Sequence, residues 1–348
     1  MIHVEKTNPL PAVGGERRAL GASSWSAALR LGDWWPHLVP VVVACLYGSL
    51  VLGAEPAAMA RKLPGFLVAL VALATFGYTL NDLCDAAQDR RAGKPDALAG
   101  AGGAKIRLGL VVVSLAVGLV AWATVEAPAL ATGFLALHLL LLMVYSVPPL
   151  RWKERGLLGV LADALYGHLL PVAITLLVFA PAPDDRWLGG AVIVWALAKG
   201  LRNILLHQIE DRKGDRRAGI ATFGSSQPPL RVLSLVNRLF LPVEIVTLVL
   251  LLVALAPAWW GLVAFTAFTL LKFSAWKLWF LPRRYRRLKF VWCLNDFYEE
   301  WLGPVLILVL AARDPLWVLL LPLHLLLFPR LFGQMSRDLP AIWRNLRD

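Results

Sequence analysis

Asn81, Asp82, Asp85 and Asp89 stand at the end of an apolar run, and spacings of three and four stack the three carboxylates on one helical face. Like charges so placed repel, and beside hydrocarbon they also lose hydration, so the pattern calls for a bound cation. Mg²⁺ suits it, because that ion takes hard oxygen ligands and commonly bridges one or two carboxylates to substrate phosphates. Asp211 and Asp215 end a later apolar run in the same way, with Glu210 beside them and His207 and Gln208 just before. Two acidic helix ends opposed across a bundle hold metal ions between them, and a diphosphate between the metals. The stretch Tyr145, Pro148, Pro149, Arg151 and Lys153 supplies the complement. A bidentate Arg and a mobile Lys suit a departing diphosphate, whose negative charge grows as its carbon–oxygen bond breaks. Together these residues specify the ionisation of an allylic diphosphate inside a lipid-accessible cavity.

Each piece alone has a plainer reading. Acids at a helix end cap it, a basic loop beside a membrane sets topology, and His207 satisfies a buried hydrogen bond. Lys199, Arg202 and Asn203 lie inside an apolar run, where they are expensive in lipid and must face the bundle interior, as a structural ion pair or as substrate contacts. The stretch Asn295, Asp296, Phe297, Tyr298, Glu299 and Glu300 either lines an acceptor site or starts an interfacial helix. Trp34, Trp35, Trp259 and Trp260 read as interfacial anchors. Two acidic clusters and a basic loop assigned to one membrane face tip the balance to chemistry.

The elements that must position them are transmembrane helices. Of 348 residues 58% are hydrophobic and 17% charged, and the mean hydropathy is +0.64, which makes the bilayer this chain's solvent. A formal charge of +12 raises the question of nucleic acid, but the basic residues lie between apolar runs and not on one soluble face, so no nucleic-acid partner is expected. Cys45, Cys84 and Cys293 have neither metal-ligand spacing nor a disulfide framework. Apolar runs near 37–54, 64–82, 107–124, 128–147, 157–180, 187–206, 232–255, 257–280, 297–312 and 315–332 predict an all-α, polytopic bundle of about nine or ten helices. Lys and Arg crowd the connections that follow even-numbered helices, among them Arg90, Arg91, Lys105, Arg151, Lys153, Arg155, Arg216, Arg217, Arg283 and Arg284. That asymmetry orients both termini and both acidic motifs to the cytoplasm, most simply at the cell membrane. The organisation expected is a cytoplasmic tail over 1–30, a membrane domain over 31–333 with a central cavity open to the cytoplasmic side, and a second tail over 334–348.

Asn81 to Asp89 reads NDLCDAAQD, which resembles the NDxxDxxxD signature of UbiA-type membrane prenyltransferases. RRAGKPDALAG from Arg90, YSVPPLRWKERG from Tyr145 and DRKGDRRAGIAT from Asp211 resemble the stretches that follow in that family, from about Arg30 to Arg313. The resemblance implies that Asp82, Asp85, Asp89, Asp211 and Asp215 hold Mg²⁺ (Mn²⁺ substituting) and the diphosphate, with Asn81 in support. It implies that Arg151, Lys153 and Lys94 offset leaving-group charge and that Tyr145 shelters the cation, while Arg202, Asn203, His207 and Gln208, just ahead of the second acidic motif, are candidate substrate contacts. The partners implied are an isoprenyl diphosphate and a lipophilic or aromatic acceptor. Two departures stand out: Gln208 occupies the place of a first aspartate in the second motif, and the apolar run after Arg313 exceeds the family's usual nine helices. A terpene cyclase, in which an alkene of the same molecule attacks, and a cation-coupled transporter remain as alternatives. Transporter acids usually lie near the midplane on broken helices.

Overall fold

The computed structural model describes residues 29–91, 103–180, 186–255, 259–280, 290–291 and 293–347. Lys94, nearly all of the expected N-terminal tail and the basic block at 283–289 lie outside the described residues. The fold is all-helical: α1 (Leu31–Val51), α2 (Pro56–Arg91), α3 (Gly103–Ala123), α4 (Ala129–Ser146), α5 (Leu157–Phe179), α6 (Arg186–Ala218), α7 (Pro229–Ala254), α8 (Trp259–Ala275), α9 (Leu302–Ala311), α10 (Leu320–Leu327) and α11 (Arg330–Arg347). Among the described residues seven helices are long and apolar enough to cross a membrane, or eight if the bent pair at the C-terminal end is one span. Helix α8, at 17 residues, falls just short.

Two helices overshoot the bilayer, and that overshoot positions the acids. Helix α2 has 36 residues and α6 has 33, or roughly 50 Å each at 1.5 Å per residue, against a hydrocarbon core of about 30 Å. Their surplus turns carry Asn81–Asp89 and Gln208–Asp215 into the polar zone, where a carboxylate keeps water. Small residues let α2 and α3 pack closely. A Cβ on Gly118 would fall 2.5 Å from Leu73 Cδ2, and one on Gly65 would fall 2.3 Å from Thr124 Oγ1. Lipid offers hydrocarbon no reason to leave it, so such close van der Waals packing is what holds membrane helices together.

Two large apolar clusters and two small ones, around Phe76 and around Trp34, fill the interior among the described residues. Val41, Leu205, Leu206, Leu248, Phe268 and Phe297 lie in one of the large clusters, Phe66, Leu73, Trp122, Leu170 and Phe179 in the second. Three helices widen to π-geometry, at Ala164–Leu169 in α5, Val236–Phe240 in α7 and Phe297–Trp301 just before α9. Such bulges are frequent at functional sites.

The sequence reading takes 315–332 as one apolar crossing, but the chain bends by 81° between Pro315–Leu327 and the helix that starts at Arg330. The cause is Pro329, which disfavours helical backbone at Phe328 and has no N–H to continue the ladder. Residues 334–347, expected as a tail, continue α11 along the side of α8. Lys272 Nζ donates to Asp338 Oδ2 at 2.8 Å, and Asn345 Nδ2 donates to the Ser274 carbonyl at 2.8 Å.

Candidate active site

The loop between α4 and α5 reaches back onto the acidic end of α2. Arg151 stands in left-handed backbone at φ 37°, a conformation that costs a non-glycine residue about 1–2 kcal/mol. The side chain recovers this through its donors. Nη2 reaches Asp85 Oδ1 at 3.0 Å and Gln88 Oε1 at 2.5 Å, Nε reaches Glu154 Oε1 at 2.9 Å, and Nη1 reaches the Cys84 carbonyl at 3.2 Å. Lys153, in the short 3₁₀ turn Trp152–Glu154, donates to both carboxylate oxygens of Asp85 and to Asn81 Oδ1 at 3.0 Å. Asn81 Oδ1 also accepts from Ser146 Oγ at 3.1 Å, which ties the end of α4 into the same cluster. Asp82 turns the other way, to Arg30 Nη1 at 2.5 Å, while Arg30 Nε holds Asp33 at 2.7 Å. Asp89 is half-buried on the same helix end.

Burial pulls the Lys153 ammonium below the usual lysine range, and the Asp85 carboxylate restores only part of the difference. Burial works on Glu154 in the opposite sense, yet hydrogen bonds from Gln88 and Arg151 outweigh it and hold that carboxyl below its ordinary value. Burial also opposes the charge on Arg30, and the adjacent Asp82 and Asp33 carboxylates more than compensate. The cluster is therefore a layer of carboxylates met by cations from two segments, Asp82 by Arg30 from before α1 and Asp85 by Arg151 and Lys153 from the loop before α5.

The second motif joins this layer through backbone. Gly156, just after the basic loop, forms an isolated parallel β-bridge with Thr222. Thr222 Oγ1 donates to Asp215 Oδ2 at 2.9 Å and accepts from the Ser225 amide at 3.1 Å, capping the short helix Phe223–Ser226. One line of contacts thus runs from Asp85 through Lys153 and Gly156 to Thr222 and Asp215.

A model of the UbiA prenyltransferase family matches residues 41–295. The chain belongs to the UbiA prenyltransferase family. It is 34% identical over 205 residues to the lycopene elongase/hydratase of Haloferax volcanii, covering 56% of this chain and 62% of that protein. It is 32% identical over 193 residues to the lycopene elongase/hydratase of Halobacterium salinarum, covering 54% and 66%. The match thus spans less than two thirds of the length of either relative. Among solved structures, a UbiA homologue from Archaeoglobus fulgidus bound to GPP and Mg²⁺ superposes with a TM-score of 0.54 at 17% identity, over 82% of this chain and 99% of the other. The same homologue bound to DMAPP and Mg²⁺ gives 0.52 over 92% and 99%. At that identity the likeness speaks to the fold.

Several expected site residues of this UbiA-family chain have other employment. Gln208 is buried, and its Oε1 accepts the Gly224 amide at 2.9 Å. A Cβ on Gly224 would fall 2.5 Å from Gln208 Cβ, so the residue replacing the family's aspartate is a wedge that seats the loop after α6. His207 is exposed and pairs with Asp211 at 3.3 Å, one turn along, so the buried hydrogen bond is not its role. Arg202 is wholly buried and its donors go to Glu244 (2.6 and 2.8 Å), Asn295 (2.7 Å) and the Val291 carbonyl (3.1 Å). Asn203 accepts from Asn295 at 3.1 Å. Of the two roles open to Arg202 and Asn203, these contacts support the structural one. Tyr145 packs edge-on against Tyr166, ring centroids 5.1 Å apart, and Tyr166 donates to Asp163 Oδ2 at 3.1 Å.

Arg30, Gln88, Glu154, Asp163, Tyr166 and Thr222 are members of the site that sequence reasoning passed over. Asp163 left a signal, being an acid inside the apolar run 157–180. Arg30 left none, since a basic residue before a first apolar run reads only as topology.

Proposed function

We propose that this chain is a Mg²⁺-dependent intramembrane prenyltransferase that ionises an isoprenyl diphosphate and passes the prenyl group to a lipophilic or aromatic acceptor. The observation that carries the reading is Asp85 gripped by both Arg151 and Lys153, in a loop bridged to the Asp215 turn. The donor set fits Mg²⁺: every candidate ligand is a hard carboxylate oxygen. Among the described residues no three carboxylates or imidazoles gather closely enough to enclose an ion unaided. Mg²⁺ commonly bridges one or two carboxylates to phosphate oxygens and keeps several waters.

Asp82, Asp85 and Asp89 from α2 and Asp211 and Asp215 from α6 would hold the ion, which supplies charge neutralisation to the bound diphosphate. Lys153 and Arg151 turn from Asp85 to the diphosphate and gain strength as its charge develops, so they favour ionisation over ground-state binding. The carbon–oxygen bond breaks with its electron pair leaving on the diphosphate. The faces of Tyr145 and Tyr166 shelter the allylic cation from water. An electron-rich carbon of the acceptor then forms the new carbon–carbon bond and loses a proton. The name carried by the haloarchaeal relatives supports carbon alkylation of a lipophilic acceptor. The distribution of Lys and Arg among the connections supports a cytoplasmic face for both termini and this site.

The test is mass spectrometry of products after incubating purified protein with Mg²⁺, prenyl diphosphates of graded length and a set of acceptors. A prenylated acceptor is expected. Diphosphate release that yields a cyclised hydrocarbon, indifferent to acceptor, would replace the reading with a cyclase, and no diphosphate release at all would reject both.

A further inference from the structure

Helix α11 (Arg330–Arg347) lies beyond the residues that the family model matches. The segment leading to it, Pro315–Leu327, runs the length of α1. Just before that segment, Arg313 Nη1 donates to the carbonyl of Val51, the last residue of α1, at 2.5 Å. At its finish Phe328 packs on Trp34 and Trp35, near the start of α1, and Trp35 Nε1 donates to the Leu327 carbonyl at 3.4 Å. That is the end of the bundle where Arg30 meets Asp82. There the chain bends by 81°. A helix set nearly at right angles to a span lies close to the membrane plane, so α11, roughly 27 Å long at 1.5 Å per residue, runs along the face that carries the acidic motifs.

At about 100° per residue the side chains of α11 sort into three faces. Gln334, Asp338 and Asn345 form the face held against the protein: Gln334 and Asp338 are buried, Asp338 takes Lys272 at 2.8 Å, and Asn345 Nδ2 donates to the Ser274 and Ala275 carbonyls at 2.8 and 3.1 Å. Phe332, Leu339 and Trp343 share a second face and are 58%, 51% and 59% exposed. Arg330, Arg337 and Arg344, seven residues apart, share the third. Arg330 at the bend pairs with Glu299 at 3.3 Å and Glu300 at 3.2 Å, while Arg337 and Arg344 are exposed.

This arrangement inverts that of a helix packed on a soluble core, which turns its apolar stripe inward. Here the inward face is polar, fastened by an ion pair and two hydrogen bonds to backbone, and three large apolar side chains face away from the protein. Water is a costly neighbour for such a face. The boundary between headgroups and acyl chains suits it, because that layer offers hydrocarbon to one side of a helix and phosphates to its arginines. Lipid also reaches the bend, since the segment leading to it exposes Leu319, Leu323 and Leu326. We propose that α11 is an in-plane anchor in the leaflet on the side of the acidic motifs. Phe332, Leu339 and Trp343 sit among the upper acyl chains, and Arg337 and Arg344 bind the phosphates of anionic lipids. The inference concerns the membrane and holds whichever acceptor the enzyme uses.

Two measurements on the full chain in nanodiscs test it. The first uses phosphatidylcholine brominated at different depths, and the quenching of tryptophan emission that is lost on Trp343→Phe belongs to that indole. Bromines near the headgroup end of the acyl chains are expected to quench it more than bromines near the chain ends. Strongest quenching by the deep bromines would make α11 part of a crossing helix, and absence of quenching would leave its apolar face to water or to another protein; either result overturns the proposal. Since Trp343 lies mostly outside the protein, Trp343→Phe should keep the wild-type thermal midpoint, and a large drop marks a packed core residue and also overturns it. The second measurement counts lipids retained by native mass spectrometry from an equal mixture of phosphatidylglycerol and phosphatidylcholine. The wild type should favour phosphatidylglycerol by about fivefold for each arginine near the surface, and Arg337→Gln with Arg344→Gln should abolish that preference. Arg231→Gln is the control, an exposed arginine outside α11 that bonds Gln227 at 3.0 Å. An unchanged preference in the double variant, or an equal loss in Arg231→Gln, overturns the headgroup site.

Discussion

Changing Lys153 to Gln removes one cation from a carboxylate that has two. In the resting site Asp85 keeps Arg151 at 3.0 Å, and the Lys153 and Asp85 side chains remain 11% and 13% exposed. Breaking a wholly buried pair costs about 3–5 kcal/mol, so with a second cation in place and water at the rim the stability loss should be about 1–2 kcal/mol. Turnover should suffer more. If Lys153 donates to the departing diphosphate, its loss resembles that of one oxyanion donor, about 2.7–4 kcal/mol or roughly 10²–10³-fold in kcat. The assay is steady-state diphosphate release in detergent, with donor KM measured alongside. KM should move by less than kcat, because the charge matters most as the bond ionises. Arg155→Gln is the control, since Arg155 lies in the same loop and spends its guanidinium on the Pro149 carbonyl at 2.8 Å, on the surface. It should change kcat only a few-fold. Burial holds Lys153 below the usual lysine range, and the active form is the protonated one. Activity should therefore fall on the alkaline side earlier than an ordinary lysine would dictate, and Lys153→Arg should carry that limb to higher pH. Comparable losses in Lys153→Gln and Arg155→Gln would reduce the loop to a topology signal.

Stripping divalent ions with EDTA should stop diphosphate release, and adding back Mg²⁺ or Mn²⁺ should restore it; full turnover in chelator would exclude a metal-bridged mechanism. Gln208→Asp, which recreates the family's more common residue, should lower the thermal midpoint without raising activity. The shorter side chain leaves the Gly224 amide without its acceptor, and an unmet buried donor costs about 1–3 kcal/mol. A gain in turnover would show Gln208 to be a weakened metal ligand after all. Arg202→Met leaves Glu244 charged and wholly buried, which should destabilise by about 3–5 kcal/mol, whereas in the double variant with Glu244→Gln much of that loss should disappear. Non-recovery in the double variant would tie Arg202 to substrate instead.

The helical fold was legible because hydrocarbon imposes one requirement on every span, about 20 apolar residues, and runs of that length stand out without neighbours to compare. Helix ends followed no such rule. The run at 64–82 became a helix reaching from Pro56 to Arg91, since nothing in hydropathy stops a helix once it leaves lipid. The run at 315–332 broke at Pro329, whose effect on a helix is local and independent of the apolar count around it.

At the site, spacing revealed the acids but not their partners. Three carboxylates at helical intervals announce themselves because their repulsion needs an answer, and that need is written in α2 alone. The answer comes from elsewhere: Arg30 from just before α1, and Arg151 and Lys153 from the loop before α5. Which cation meets which acid depends on how the helices are arranged around one another, and a sequence read along its length contains no such adjacency. The same limit explains Gln208 and Arg202. Each sits at a position where motif or membrane cost marked it as chemical, and each is instead taken up by a tertiary neighbour, Gly224 and Glu244, that lies outside its own helix.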